Sequence, residues 1–173
     1  MNISFKKLSE ADFPLLLRWL EKSHVKAWWD QEILWTRKLI QEKYANYVEG
    51  YKNENGRNKP IYAYVIYVND VPVGYIQYYD VQDFANEYQD VIQKFSEKCA
   101  SFDWYIGEEE YLGKGLGKKI LECFLDEHIF QNFDNCCVVS EKINKAALRV
   151  YEKCGFKVID EIGEQFVLMK KKK

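Results

Sequence analysis

The sequence holds no apolar run approaching membrane-spanning length, no CxxC pair, no internal repeat and no low-complexity linker, and only three prolines in 173 residues. The first absence argues against a membrane partner, since a spanning helix needs about 20 consecutive apolar residues. The opening residues, Met1-Asn2-Ile3-Ser4-Phe5-Lys6-Lys7, also lack the apolar core of a secretory signal. Five cysteines, Cys99, Cys123, Cys136, Cys137 and Cys154, are odd in number and sit mostly in apolar runs. They read as buried, reduced thiols rather than a disulfide framework or a zinc site. A cytoplasmic location and no metal are therefore expected.

A basic surface is also missing. The net charge is −2, and four of the 25 basic residues are the terminal Lys170 to Lys173, leaving 21 basic against 27 acidic groups in the rest. Nucleic acid is a poor partner for such a body, whereas a cationic small molecule suits it. The lysine tail reads as a frayed, solvated end.

What is present is a globular composition, 47% hydrophobic and 30% charged, in a length typical of one domain, here taken as 1–173. Ile3 to Leu8 alternates as a strand. Ser9-Glu10-Ala11-Asp12 resembles a capping box opening a helix with Phe13, Leu16, Leu17 and Leu20 on its apolar face. A second helix is expected from about Gln31 to Tyr51, followed by a polar turn from Asn53 to Lys59. Ile61 to Val68 and Val71 to Val81 form a hairpin about Asn69-Asp70. Phe84, Tyr88, Val91, Ile92 and Phe95 fall at helical spacing. A strand over Ser101 to Ile106, a helix over Gly115 to Phe130, a strand over Cys136 to Ser140 and a helix over Asn144 to Cys154 follow. A last hairpin, Phe156 to Ile162 with Phe166 to Lys170, closes the chain. This order implies an α/β or α+β sheet protein with helices on its faces.

The most informative stretch runs from Ser101-Phe102-Asp103-Trp104-Tyr105-Ile106-Gly107 into Leu112-Gly113-Lys114-Gly115-Leu116-Gly117-Lys118-Lys119. A strand thus meets a Gly-rich loop that opens a helix. Backbone N–H groups of such a loop, with the positive helix N-terminus, make a cradle for a pyrophosphate. It is neither a Walker loop nor a Rossmann fingerprint, whose spacings differ. Taken alone, it is as well explained by a flexible connection.

About thirty residues later stands Asn144-Lys145-Ala146-Ala147-Leu148-Arg149-Val150-Tyr151-Glu152-Lys153-Cys154-Gly155-Phe156. The pair LGKGLG and N-x6-YEK-x-GF resembles the GNAT acetyltransferase superfamily. The resemblance implies a mixed, mostly antiparallel sheet flanked by helices and acetyl-CoA as co-substrate. It further implies that Leu112, Gly113, Lys114, Gly115, Leu116, Gly117 and Lys118 hold the pyrophosphate and that Asn144 and Tyr151 lie beside the pantetheine arm and thioester. Leu112 stands where the family usually has Arg or Gln, which removes a side-chain contact but not the backbone cradle. Upstream, Trp19-Leu20-Glu21-Lys22-Ser23-His24-Val25-Lys26-Ala27-Trp28-Trp29 is similar to the WL-x-x-SH-x-x-x-WW segment of aminoglycoside 6'-N-acetyltransferases, and siderophore-related acetyltransferases share a like segment. Pro72-Val73-Gly74-Tyr75-Ile76-Gln77 looks like the former's PIGYxQ strand.

On that resemblance Asp103 takes the general-base position and Tyr151 the general-acid position, with backbone N–H groups near Tyr105 and Ile106 polarising the thioester carbonyl. Each has a plainer reading: Asp103 as a solvated strand residue, Tyr151 as helix-end packing. Trp28 and Trp29, with Asp103, would bind the acceptor, although paired Trp is also ordinary core. His24 reads as a packed or capping histidine. Residues 80 to 110 hold nine acids, among them Asp83, Glu87, Asp90 and Glu97, which make either a lure for a polycation or a solvated helix face. The expected function is acetyl transfer to a cationic amine, foremost an aminoglycoside 6'-amine, by a monomer or homodimer. Alternatives are a polyamine, a siderophore precursor or a protein amine as acceptor, or a non-catalytic acyl-CoA sensor.

Overall fold

The computed structural model describes residues 1–84 and 98–173. Nine strands and five helices are found among them: β1 (Ile3–Lys7), α1 (Phe13–Leu20), α2 (Ser23–Lys26), α3 (Arg37–Val48), β2 (Tyr51–Glu54), β3 (Arg57–Pro60), β4 (Tyr62–Val68), β5 (Val71–Asp80), β6 (Cys99–Ile106), α4 (Leu116–Phe124), β7 (Asn135–Glu141), α5 (Lys145–Lys153), β8 (Lys157–Ile162) and β9 (Phe166–Lys172). Seven strands form one sheet in the order β1-β4-β5-β6-β7-β9-β8, and β2 and β3 form a separate two-stranded sheet. The sheet is mostly antiparallel; β6 and β7 run parallel. The expected mixed sheet flanked by helices is the one observed.

The chain divides into two compact units, Met1–Gln77 with Trp104–Gly113, and Tyr78–Asp103 with Lys114–Lys173. In the first, β1 pairs antiparallel with β4, and Asn69 and Asp70 take the left-handed φ values (49° and 64°) that a two-residue hairpin turn demands. Ser9 donates from both N and Oγ to Asp12 Oδ2, so the box forms, but it opens a 3-10 turn that precedes α1. The second helix begins later than expected. Thr36 Oγ1 caps α3 by accepting from Leu39 N, and residues 31–36 before it form a turn and an irregular segment. The expected polar turn over 53–59 is instead the β2–β3 hairpin, turning at Asn55-Gly56, an Asn-Gly signal of that motif.

In the second unit β7 lies between β6 and β9, with Cys136, Cys137, Leu168 and Met169 buried. α4 runs on as a π-helical turn, Leu125–Ile129. The lysine tail is not frayed: Lys170, Lys171 and Lys172 pair with Cys137, Cys136 and Asn135, and Lys173 N donates to Asp134 O. Strand pairing holds what charge alone would leave in solvent. The expectations on Tyr88, Val91, Ile92 and Phe95, and on Glu87, Asp90, Lys94 and Glu97, lie outside the described residues.

Candidate active site

Gly113 and Gly115 both adopt left-handed φ, 69° and 72°, and neither has a neighbour within 4 Å of where a Cβ would stand. The turn therefore needs glycine for its backbone, and open space remains above it. Gly115 caps α4, whose first-turn N–H groups at Leu116, Gly117 and Lys118 lack intrahelical partners by construction. Lys114 and Lys119 are exposed, and Lys118 lies 3.5 Å from Glu122. Exposed Leu112 offers no charge. The arrangement can hold a pyrophosphate through backbone donors, with lysines as screened point charges.

The hydrogen-bonding parity of β6 is informative. Gly107 N donates to Val73 O, and Val81 N donates to Cys99 O. Odd-numbered residues of the strand therefore face β5, and even-numbered ones face the β7 side, because N–H and C=O of one strand residue project to the same side. On that side Asn135 N reaches Lys98 O, and the register with β7 covers only Cys99, Ala100 and Ser101. The strand continues to Ile106, whose N–H projects to this same side, beyond the last residue of the β7 register. Tyr105 N–H faces β5 instead, which makes Ile106 the better placed of the two expected backbone donors.

Asp103 is half-buried, and strand alternation puts its Cβ opposite that of Phe102. Phe102 meets the Tyr151 ring edge-on at 5.9 Å, and Tyr151 also packs on Phe156. Asn144 Oδ1 accepts from Ala147 N at 3.1 Å and so caps α5; only its Nδ2 is left for a ligand. Asn144 and Tyr151, seven residues apart, lie two turns apart on one face.

The paired tryptophans separate. Trp28 is 45% exposed, whereas Trp29 meets Tyr105 at 5.0 Å and Tyr75 at 6.0 Å, both edge-on. Trp28 is thus the one with surface to offer a ligand, and Trp29 is mostly packing. Burial pushes the Tyr105 hydroxyl far above its ordinary pKa, with Tyr44 and Asp30 adding to the rise, so it stays neutral.

The acidic run contributes less free charge than its composition promised. Glu108 is buried and accepts from Trp19 Nε1 at 2.9 Å, Lys22 Nζ at 3.0 Å and Arg18 Nη2. Burial opposes its ionisation, yet the Trp19 and Lys22 hydrogen bonds and the Arg18 and Lys22 charges outweigh that and hold the carboxyl below its usual range. His24 Nε2 lies 3.0 Å from Ile106 O, and its Nδ1 lies 3.6 Å from Glu109. Sequence reasoning missed both roles: nothing distinguishes Glu108 from Glu109 and Glu110 in a run of three.

Residues 9–163 match the family model described as an acetyltransferase (GNAT) domain. The aminoglycoside N(6')-acetyltransferase type 1 of Klebsiella pneumoniae is 25% identical over 158 residues, covering 90% of this chain and 74% of the relative. A structure of AAC(6')-Ib in complex with ribostamycin and coenzyme A superposes with a TM-score of 0.81 at 24% identity, over 100% of this chain and 94% of that one. An uncharacterized protein from Bacillus halodurans gives 0.79 at 24% identity, over 98% and 83%.

Proposed function

Since the chain belongs to the GNAT acetyltransferase family and is an acetyl-CoA-dependent N-acetyltransferase, we propose that its acceptor is a cationic amine, foremost the 6'-amine of an aminoglycoside. The observation that carries the acceptor is the 25% identity across nine-tenths of the chain with an enzyme named for that substrate. The WL-x-x-SH-x-x-x-WW segment and the acidic balance of the chain support it.

The chemistry follows from the nucleophile. An ordinary alkylamine of pKa about 10.4 is protonated at neutral pH, and freeing its lone pair there costs roughly 4.6 kcal/mol. Asp103, directly or through one water, takes that proton as the nitrogen attacks the thioester carbonyl. The C–N bond forms, the C–S bond breaks, and the Tyr151 hydroxyl supplies a proton to the departing thiolate. Ile106 N–H, on β6 beyond the last residue of the β7 register, steadies the negative charge that develops on the carbonyl oxygen. The glycines at 113 and 115 allow the pyrophosphate to approach the backbone of the loop, and Trp28 offers an aromatic face to a cation.

A thiol-release assay with acetyl-CoA tests this directly. Turnover is expected to be fastest with aminoglycosides bearing a 6'-amine. Faster turnover with polyamines, N-hydroxylated amines or amino-acid amides would replace the acceptor, and no thiol release with any of them would overturn the cationic-amine reading.

A further inference from the structure

We propose that His24 is a positioning residue that sets the Ile106 N–H for the thioester oxygen; this rests on the acetyltransferase reading above. The Ile106 carbonyl can only accept, so the ring nitrogen 3.0 Å from it, Nε2, carries the hydrogen. That carbonyl projects from the same side of β6 as the Ile106 N–H. Left alone, it would point an acceptor lone pair along the edge where a developing oxyanion must come, and the like partial charges would repel. His24 takes that lone pair. The following peptide is pinned on its other side, because Gly107 N and Glu108 N both donate to Val73 O, at 2.8 and 3.2 Å. The Ile106 peptide groups are therefore held from two directions, and the one group on that residue left to give a ligand is its N–H.

The support beneath His24 is itself anchored. α1 and Lys22, the residue before α2, are tied to the chain just past β6 by Glu108, which takes hydrogen bonds from Trp19, Lys22 and Arg18. Glu109 stands 3.6 Å from Nδ1, opposite the bond to the carbonyl. Glu109 is too far from Nδ1 for a hydrogen bond, so among the described residues the Ile106 carbonyl is the hydrogen-bonding partner that fixes the ring. Toward the strand the ring presents a fixed N–H, because Nε2 donates to the Ile106 carbonyl.

The test compares His24→Phe, which keeps a ring without a donor, with His24→Gln, whose amide N–H can reach the same carbonyl. His24→Asn, too short to reach, replaces the Phe variant if that one does not fold. Removing an oxyanion donor costs about 10²- to 10³-fold in kcat. Misplacing one should cost on the order of 10- to 100-fold, with the KM for acetyl-CoA nearly unchanged and with His24→Gln restoring most of the loss. A second readout needs no acceptor. Difference infrared spectra of acetyl-CoA carrying a 13C thioester carbonyl should show that carbonyl shifted to lower frequency on the wild-type protein and less so on His24→Phe. Equal kcat or an equal shift in the Phe and Gln variants would overturn the role of His24. No shift on the wild-type protein would overturn the oxyanion assignment beneath it.

Discussion

A Cβ placed on Gly107 would lie 2.2 Å from Cγ of Trp19, so the fully buried indole rests directly on the backbone at the end of β6. Trp19 also donates to Glu108, one residue on, and so cannot retreat without giving up a buried hydrogen bond. Gly107→Ala should therefore destabilise by about 1–3 kcal/mol, the usual range for overpacking a filled core. Urea midpoints at constant m-value would measure it, and an unshifted midpoint would mean that the contact relaxes freely.

At Gly115 the demand is conformational. Valine there must adopt φ 72°, where an L-residue pays about 1–2 kcal/mol, and its branched side chain fills the space above the loop. Coenzyme A should bind at least about tenfold more weakly, the equivalent of 1.4 kcal/mol. Calorimetric titration reads this; unchanged affinity would remove the loop from the cofactor site.

Tyr151→Phe keeps the ring against Phe102 and Phe156 and deletes only the hydroxyl. Turnover should fall on the order of 10²-fold while acetyl-CoA affinity stays within about twofold. Intact turnover would return the residue to packing alone.

Asp103→Asn should lower turnover and raise the acceptor KM, leaving acetyl-CoA affinity near the wild-type value. For a polycationic acceptor, KM should also rise with salt, since charge attraction is screened beyond about 10 Å at 0.1 M ionic strength. A salt-independent KM with full activity in the variant would show that Asp103 neither attracts nor deprotonates the acceptor.

Glu108 titrates with a depressed folded pKa. Its stabilisation is therefore complete above the ordinary carboxylate value, about 4.3, and is lost as pH falls through the lower folded value. Urea unfolding at pH 6 and again near pH 3 should show wild type losing more stability than Glu108→Gln. A variant with the same pH slope as wild type would show that the ion pairs carry no net linkage.

Much of the fold was legible because hydrophobic period and turn chemistry agree. The Asn69-Asp70 hairpin and the helix over 144–154 appear within a residue or two of where the pattern puts them. The β2–β3 hairpin was not legible as strands, since Lys52, Asn53, Asn58 and Lys59 show no apolar alternation and form a separate two-stranded sheet. In the site, the glycines announced the loop, but two other features depend on tertiary context. One is the parity of β6, which comes from its neighbours. The other is the burial of Glu108, which comes from three donors brought in from α1 and the residues after it.

The lysine-rich end has a practical consequence for handling the protein. Lys170 and Lys171 form the rungs of β9 beside Cys137 and Cys136. Both thiols are sealed from water and pushed well above the usual thiol range, Cys136 chiefly by burial and Cys137 chiefly by its hydrogen bond with Cys99. Removing Lys170 to Lys173 should open that end of the seam and turn two inert sulfurs into targets for alkylating reagents and air. The number of sulfurs that react with a labelling dye is thus a quick gauge of whether the β7–β9 seam is intact.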